Sequence, residues 1–150
     1  MNISYNLLIP TRENVKTLEC LRENAYQQAS LVEEEKYYTE RILSGKFLAY
    51  KASYNKKTVA GIYVSNRFGS LYIDQLFVKY EFQEKGYYFG KKLLLETLQR
   101  KKEIENYFNE IFAVSKIFPI NQKARQIYES VGYEYLDSNW LLTKVLKREE

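Results

Sequence analysis

The hydrophobic positions of this chain change repeatedly between two spacings, and each change marks the border of a predicted element. Runs of alternating or continuous apolar residues predict β-strands, whereas apolar residues three or four positions apart predict amphipathic helices. The predicted strands cover residues 3–9, 46–54, 58–65, 70–78, 110–116, 133–136 and 140–146. The predicted helices are one that follows a Thr11 cap, and then residues 32–43, 88–103 and 121–131.

These elements follow one another in the order β-α-α-β-β-β-α-β-α-β-β, without an internal repeat. The mixture of helices and strands predicts an α/β layer fold built around one mixed sheet. A chain of 150 residues fits one domain and can bury a sizeable core. We therefore expect a single domain over residues 1–150.

Composition and charge narrow the class of partner. Hydrophobic residues make up 45% of the chain and charged residues 28%, as in ordinary globular proteins. The net charge is +4, and Lys and Arg are interleaved with Glu rather than gathered in a stripe, so we expect no nucleic-acid partner. The longest apolar runs are too short to span a bilayer and no signal-peptide pattern is visible, which predicts a cytoplasmic protein without a membrane partner. The sequence leaves monomer and homodimer open.

The residue types that are missing limit the chemistry further. The chain has no histidine, which excludes Ser-His-Asp and Cys-His nucleophilic machinery and all His-based metal sites, and we expect no metal. Cys20 is the only cysteine, so no internal disulfide can form, and we interpret it as a small buried residue of the first helix. Acid–base chemistry must then come from Asp, Glu, Tyr, Lys, a chain terminus or water.

A strand, a glycine-containing loop and an amphipathic helix follow one another in residues 78–94. A helix N-terminus carries roughly half a positive charge and presents free N–H groups, so this arrangement favours a bound phosphate. Two glycines in a loop are common, and the segment alone is therefore a weak signal.

A second motif lies on the last predicted helix. Asn121, Ala124 and Tyr128 share one helical face, and Gly132-Tyr133 follows. This stretch resembles the Asn-x-x-Ala-x-x-x-Tyr-x-x-x-Gly-Phe signature of the GCN5-related N-acetyltransferase (GNAT) superfamily. Residues 78–94 are similar to the acetyl-CoA motif of the same family, and the order of elements matches over essentially the whole chain. The resemblance implies a mixed, mostly antiparallel central sheet flanked by helices.

The acetyl-CoA motif departs from the family pattern at two points. Tyr80 replaces the usual proline, and the second glycine, Gly90, comes two residues late. A two-residue insertion places Gly90 at the small-residue position and Leu93-Leu94 in the core. We prefer the insertion because the alternative would put two charged lysines in a buried stripe.

The resemblance implies acetyl-CoA as co-substrate and the transfer of its acetyl group to a primary amine of a small molecule or of a protein or peptide, by direct attack. It implies that the backbone of Leu76, Phe77 and Val78 binds the pantetheine arm. The residues implied to wrap the pyrophosphate are Gln83, Glu84, Lys85, Gly86, Tyr87, Tyr88, Phe89, Gly90 and Lys91. Asn121 is implied at the far end of the cofactor, and the alternative is that it only caps its helix.

Two residues carry the predicted chemistry. Tyr128 matches the position where the family often places a tyrosine near the thioester sulfur, and a phenol suits the role of proton donor to the departing thiolate. The alternative is a core tyrosine. Asp74 matches a strand position where some relatives place a carboxylate, so it is the candidate base, and its partly apolar neighbours favour a raised pKa. The alternative is an aspartate that faces water or binds substrate without catalysis.

Two other functions stay open on the sequence. The leading interpretation is an acetyltransferase. The first alternative is a non-catalytic acyl-CoA-binding sensor or regulatory module. A third interpretation is a fold retained only for binding a partner.

Overall fold

The computed structural model describes residues 3–27, 32–83, 88–119, 121–135 and 141–146. Within these ranges the strands are β1 (Ile3–Leu7), β2 (Phe47–Tyr54), β3 (Lys57–Arg67), β4 (Ser70–Val78), β5 (Val114–Ile117), β6 (Glu134–Tyr135) and β7 (Leu142–Val145). The helices are α1 (Arg12–Tyr26), α2 (Val32–Leu43), α3 (Phe89–Gln99), α4 (Lys101–Phe108) and α5 (Gln122–Ser130). A 3₁₀ turn, Tyr80–Phe82, follows β4.

The strands form one sheet in the order β1-β2-β3-β4-β5-β7-β6. All neighbours are antiparallel except β4 and β5, which run parallel. This confirms the predicted α/β fold with a mixed, mostly antiparallel sheet flanked by helices. In the described residues β4 and β5 pair only through Leu71 with Ser115 and Tyr72 with Lys116, so the second half of β4 extends beyond this pairing.

A bulge at Asp74 divides β4 into two halves. Ile73 and Gln75 lie opposite consecutive residues of β3, so Asp74 between them has no partner in the register. Side chains four residues apart on a regular strand point to the same face. Ile73 and Phe77 instead belong to cores on opposite faces of the sheet. The extra residue therefore reverses the alternation halfway along β4.

Helices cover both faces of the sheet. The core between the sheet and helices α3, α4 and α5 includes Leu48, Tyr50, Ala60, Ile62, Val64, Leu71, Ile73, Leu93, Leu94, Ile104 and Tyr128. The core between the sheet and helices α1 and α2 includes Val15, Leu18, Ala25, Ile42, Phe47, Ala49, Tyr63 and Phe77. Gly61 is required in the second core, because a Cβ there would overlap the Phe77 ring and Leu18.

The single helix predicted over residues 88–103 is two helices, α3 and α4, which meet at Arg100. Thr97 Oγ donates to the Leu93 carbonyl oxygen at 2.8 Å, a bond that often bends a helix. Arg100 Nη2 donates to the Tyr5 carbonyl oxygen of β1 at 3.0 Å. These contacts hold the break between the two helices against the sheet.

The buried stripe of these two helices also differs from the predicted one. The spacing of Leu94, Leu95 and Leu98 along the sequence predicts that these three leucines form the buried stripe, but Leu95 is exposed and Leu98 is only partly buried. The stripe consists of Phe89, Gly90, Leu93, Leu94, Thr97, Lys101 and Ile104. The apolar pattern did not mark this face because Thr97 and Lys101 lie within it.

The structure also bears on two further predictions from the sequence, the burial of Cys20 and the lack of a membrane-spanning segment. Cys20 is exposed on α1, so the prediction that it is buried is wrong; it lies off the face that carries Val15 and Leu18. None of the helices in the described ranges combines the length and the apolar character needed to cross a membrane.

Candidate active site

The start of α3 packs closely on the C-terminal end of β4. Gly90 in the first turn of α3 is buried, and a Cβ there would lie 3.3 Å from Val78 Cγ2 and 4.0 Å from Ile127 Cδ1. A small residue at this position therefore lets α3 approach β4 and α5. Leu93 and Leu94, one turn later, are fully buried. This packing fits the two-residue insertion inferred from the motif.

The N-terminus of α3 has the groups that an anion needs. Tyr88, the residue before the helix, is exposed with φ 55°, and no side chain of the described residues caps the first N–H groups. The backbone N–H groups of a helix N-terminus and the helix dipole together favour a phosphate. Phe89 is buried and Lys91 is partly buried. The other residues predicted to wrap the pyrophosphate, Glu84, Lys85, Gly86 and Tyr87, lie outside the described residues.

Gln83 has a structural role at the start of this loop. Its Nε2 donates to the Val78 carbonyl oxygen at 2.7 Å and to the Ala25 carbonyl oxygen at 2.8 Å. Asn24 Oδ1 accepts from the Tyr80 N–H at 3.0 Å nearby. These bonds tie the end of α1 to the end of β4 and fix where the loop leaves the sheet. The contact of Gln83 with the pyrophosphate stays a prediction.

The second half of β4 presents a backbone edge. Leu76, Phe77 and Val78 pair with β3 on one side. On the other side, the described pairing with β5 ends at Tyr72. Backbone N–H and C=O groups at such an edge can hydrogen-bond an extended chain. This geometry fits the predicted binding of the pantetheine arm by the backbone of these residues.

Tyr128 on α5 is buried beside other phenols. Its side chain is 3% exposed, and its ring lies 5.5 Å from the Tyr133 ring, edge to face. Burial, and then the nearby phenols of Tyr133, Tyr26 and Tyr72, raise the pKa of Tyr128 well above its ordinary value. The hydroxyl therefore keeps its proton at neutral pH. No hydrogen bond joins it to another of the described residues, so it is available to a ligand.

Asp74 does not face water. Its side chain is 2% exposed and accepts hydrogen bonds from Ser65 Oγ and from Arg67 Nη2, each at 2.6 Å. Burial raises the pKa of Asp74, and the Ser65 hydrogen bond and the Arg67 charge oppose that rise. The carboxyl is thus held in place by two donors with its pKa moved toward neutrality.

Asn121 caps α5, as the simpler of its two interpretations predicts. Its Oδ1 accepts from the Ala124 N–H at 2.8 Å, and the residue is exposed. The contact of Asn121 with the far end of the cofactor stays a prediction.

A buried ionic network, which the sequence analysis missed, joins α1, α2 and β3. Glu19 and Arg22 on α1 form a two-point ion pair with N–O distances of 2.8 and 3.0 Å, and both side chains are at most 1% exposed. Tyr63 donates to Glu19 at 2.6 Å, and Arg22 also pairs with Glu34 at 2.8 Å. The signal was present, because Arg22 occupies the apolar face of α1, where an ion is tolerated only with partners.

Gln75 extends this network to the candidate site. Its Oε1 accepts from the Tyr26 hydroxyl and its Nε2 donates to the Tyr38 hydroxyl, each at 2.7 Å. The Arg22 guanidinium lies 4.6 Å from the centre of the Tyr38 ring. Burial raises the pKa of Tyr26 to about 12. The end of α1 is therefore tied to β4 one residue after the bulge, with a neutral phenol near Tyr128.

Comparisons with known proteins agree with this geometry. A family model for the acetyltransferase (GNAT) domain matches residues 14–141. The solved PaiA N-acetyltransferase of Thermoplasma acidophilum, in complex with coenzyme A, is 18% identical, with a TM-score of 0.65 over 97% of this chain and 99% of that chain. The ribosomal-protein-S18-alanine N-acetyltransferase of Escherichia coli is 15% identical, with a TM-score of 0.70 over 99% of this chain and 97% of that chain.

Mutant forms of the spermidine/spermine N-acetyltransferase SpeG of Vibrio cholerae are also similar, at 15% identity and a TM-score of 0.64 over 97% of this chain and 95% of that chain. A search of curated protein sequences gives no match. At these identities the solved structures establish the fold, and the family model spans most of the sequence. The chain therefore belongs to the GNAT family of acetyltransferases.

Proposed function

We propose that residues 1–150 form one N-acetyltransferase domain that transfers the acetyl group of acetyl-CoA to a primary amine of a small molecule or peptide by direct attack. The observation that carries this proposal is Tyr128, a buried and protonated phenol near Tyr72, the last residue of β4 that pairs with β5. A proton donor next to a backbone edge suits a reaction in which a thiolate departs.

The donor substrate fits this side of the molecule. The start of α3 supplies N–H groups for a pyrophosphate, and the β4 edge at Leu76–Val78 supplies hydrogen bonds for an extended arm. When bound, acetyl-CoA supplies an activated acyl group.

The amine must be neutral to attack. A lysine-like amine has a reference pKa of about 10.4, so well under roughly 1% of it is neutral near pH 7. Asp74 is our candidate for the proton acceptor, directly or through a water, because burial moves its pKa toward neutrality. Ser65 and Arg67 hold the carboxyl in one orientation.

The departing thiolate needs a donor, in contrast to the amine, which needs a proton acceptor. The thiol of CoA has a pKa of about 8.5. Burial raises the pKa of Tyr128 well above its ordinary value, so its hydroxyl is protonated near neutral pH. The Tyr128 hydroxyl can therefore donate a hydrogen bond to the sulfur and stabilise the negative charge that develops there as the thiolate departs.

The direct test is release of the CoA thiol. We expect acetyl-CoA at saturation to yield thiol with at least one member of a panel of small amines, polyamines, aminoglycosides and peptides with a free N-terminus. Acetyl-CoA binding by calorimetry, combined with no thiol release across the panel, would favour the non-catalytic acyl-CoA-binding module instead.

Replacement of Asp74 with asparagine is expected to lower kcat/KM roughly 10²-fold, since general bases contribute about 10²–10⁴. In the wild type, activity should fall at low pH as Asp74 is protonated, at a higher pH than an ordinary carboxyl would give, because its pKa is raised. The pH profile of kcat/KM measures both effects.

Ser65→Ala supplies the matched control for this prediction. It removes a hydrogen bond that favours the ionised carboxyl, so the acidic limb should move to higher pH while activity at alkaline pH persists. Equal rates and an unchanged acidic limb in Asp74→Asn would remove Asp74 from the mechanism.

A further inference from the structure

A pocket of about 430 Å³ lies where β3 ends and β4 begins, at the opposite end of β4 from α3. Three cationic side chains line it, namely Arg41, Lys46 and Arg67. Ser65, Asn66 and Tyr37 add polar groups, and none of the described residues that line it is acidic. We call it the cationic pocket.

The positive charge of the cationic pocket is only partly balanced. Arg67 pairs with Asp74 at 2.6 Å, so these two charges offset each other. The Arg41 guanidinium lies 3.7 Å from the centre of the Tyr37 ring, a contact that orients it without neutralising it. In the described part of the chain, neither Arg41 nor Lys46 has a carboxylate within ion-pair distance. Counted over the described residues, the pocket therefore holds an excess of two positive charges, which favours an anionic group.

The position of the cationic pocket relates it to the candidate base. Arg67, which lines the pocket, pairs in register with Ser70 at the start of β4, whereas Val78 at the end of β4 touches the start of α3. Asp74 lies midway, about 13 Å from Val78 at roughly 3.3 Å per strand residue. A donor held at the Val78 end therefore reaches Asp74 from one side, and the pocket opens on the other side.

We propose that the cationic pocket is the acceptor subsite and that it binds a carboxylate carried by the amine that is acetylated. The inference rests on the proposed N-acetyltransferase function and adds the substrate class. That class is a small amino acid, or a peptide with an acidic group near its amine. Arg41 and Lys46 bind the carboxylate, and Arg67, already paired with Asp74, sets the distance between that anion and the base. Polyamines are poor acceptors, because a second ammonium group would meet these cations.

The test compares acceptors that differ only in charge. We expect glycine, 3-aminopropanoate, 4-aminobutanoate and 6-aminohexanoate to include an acceptor with kcat/KM at least roughly tenfold above its own amide and above the diamine of equal length. The preference should weaken as salt rises, since screening reduces attraction between ions. Equal or better use of the amides or diamines would overturn the proposal, even with robust thiol release.

The variant Arg41→Gln tests whether Arg41 binds the carboxylate of the acceptor. It should raise KM for the preferred carboxylate acceptor roughly tenfold and leave KM for the matching amide nearly unchanged, because any effect through Asp74 is common to both acceptors. Lys46 is exposed, so Lys46→Gln makes the same comparison in a variant that folds readily. Lys57→Gln, an exposed lysine at the far end of the β2–β3 hairpin, is the control and should change neither KM. Equal changes for both acceptors in Arg41→Gln and Lys46→Gln would contradict the proposal.

A binding measurement separates this inference from the proposed function. Protein labelled with ¹⁵N-arginine is titrated with sodium acetate against sodium chloride at equal ionic strength. Saturable shifts of the Arg41 and Arg67 Nε–Hε signals with acetate support the anion subsite even if no amine in the panel is acetylated. Shifts that are linear, or identical with chloride, overturn it whatever the enzyme assay shows.

Discussion

Replacing Tyr128 with phenylalanine is expected to lower kcat roughly 10²-fold while the Kd for acetyl-CoA stays within about twofold. The hydroxyl is the single polar atom of a side chain that is 3% exposed, and none of the described residues hydrogen-bonds it. Its removal therefore leaves none of the described groups unpaired and the packing almost unchanged. The loss should fall on the step in which the thiolate departs. Steady-state kinetics of thiol release and calorimetry with acetyl-CoA measure the two quantities.

Tyr133→Phe is the matched control. Tyr133 is 1% exposed, packs edge to face on Tyr128, and shares a hydrogen bond of 2.7 Å with Ser115. Its hydroxyl is thus occupied by the protein, and its removal should cost about 1 kcal/mol of stability with kcat changed less than about twofold. Equal kcat in Tyr128→Phe and Tyr133→Phe would assign Tyr128 a packing role only.

The parts of the site that the sequence predicted are those set by local rules. The Asn121 cap and the turn at Gly132 with φ 101° each follow from one backbone requirement at one position. The bounds predicted for α2 and β4, residues 32–43 and 70–78, also agree with the structure.

The parts that the sequence did not predict depend on contacts between distant residues. The bulge at Asp74 is visible only in the register of β4 with β3. The break at Arg100 depends on a carbonyl group of β1, and the pocket near Asp74 gathers Arg41 and Arg67 from two separate elements. Hydrophobic spacing reports which face of an element is buried and says nothing about its polar partners across the fold.

The ionic network under the site provides the largest expected effect on stability. Glu19→Ala should lower the free energy of unfolding by about 3–5 kcal/mol, because it leaves the Arg22 charge buried with its main partner removed. It also takes the acceptor from the Tyr63 hydroxyl. Since natural domains are stable by only about 5–15 kcal/mol, this loss approaches the whole margin. Urea unfolding of the wild type and the variant measures it from the shift of the midpoint at constant slope.

Two comparisons make this stability prediction specific to the buried pair. Glu34→Gln removes a second carboxylate partner of Arg22. Because the Glu34 side chain is 45% exposed, this change should cost at most about 1 kcal/mol. The double variant Glu19→Leu with Arg22→Met should lower the free energy of unfolding by less than the sum of its single changes. Both charges of the pair are removed together, so neither is buried without the other. If Glu19→Ala costs no more than Glu34→Gln, the pair does not hold α1 on the sheet. Tyr26, at the end of α1, must then be held on β4 by its hydrogen bond to Gln75 instead.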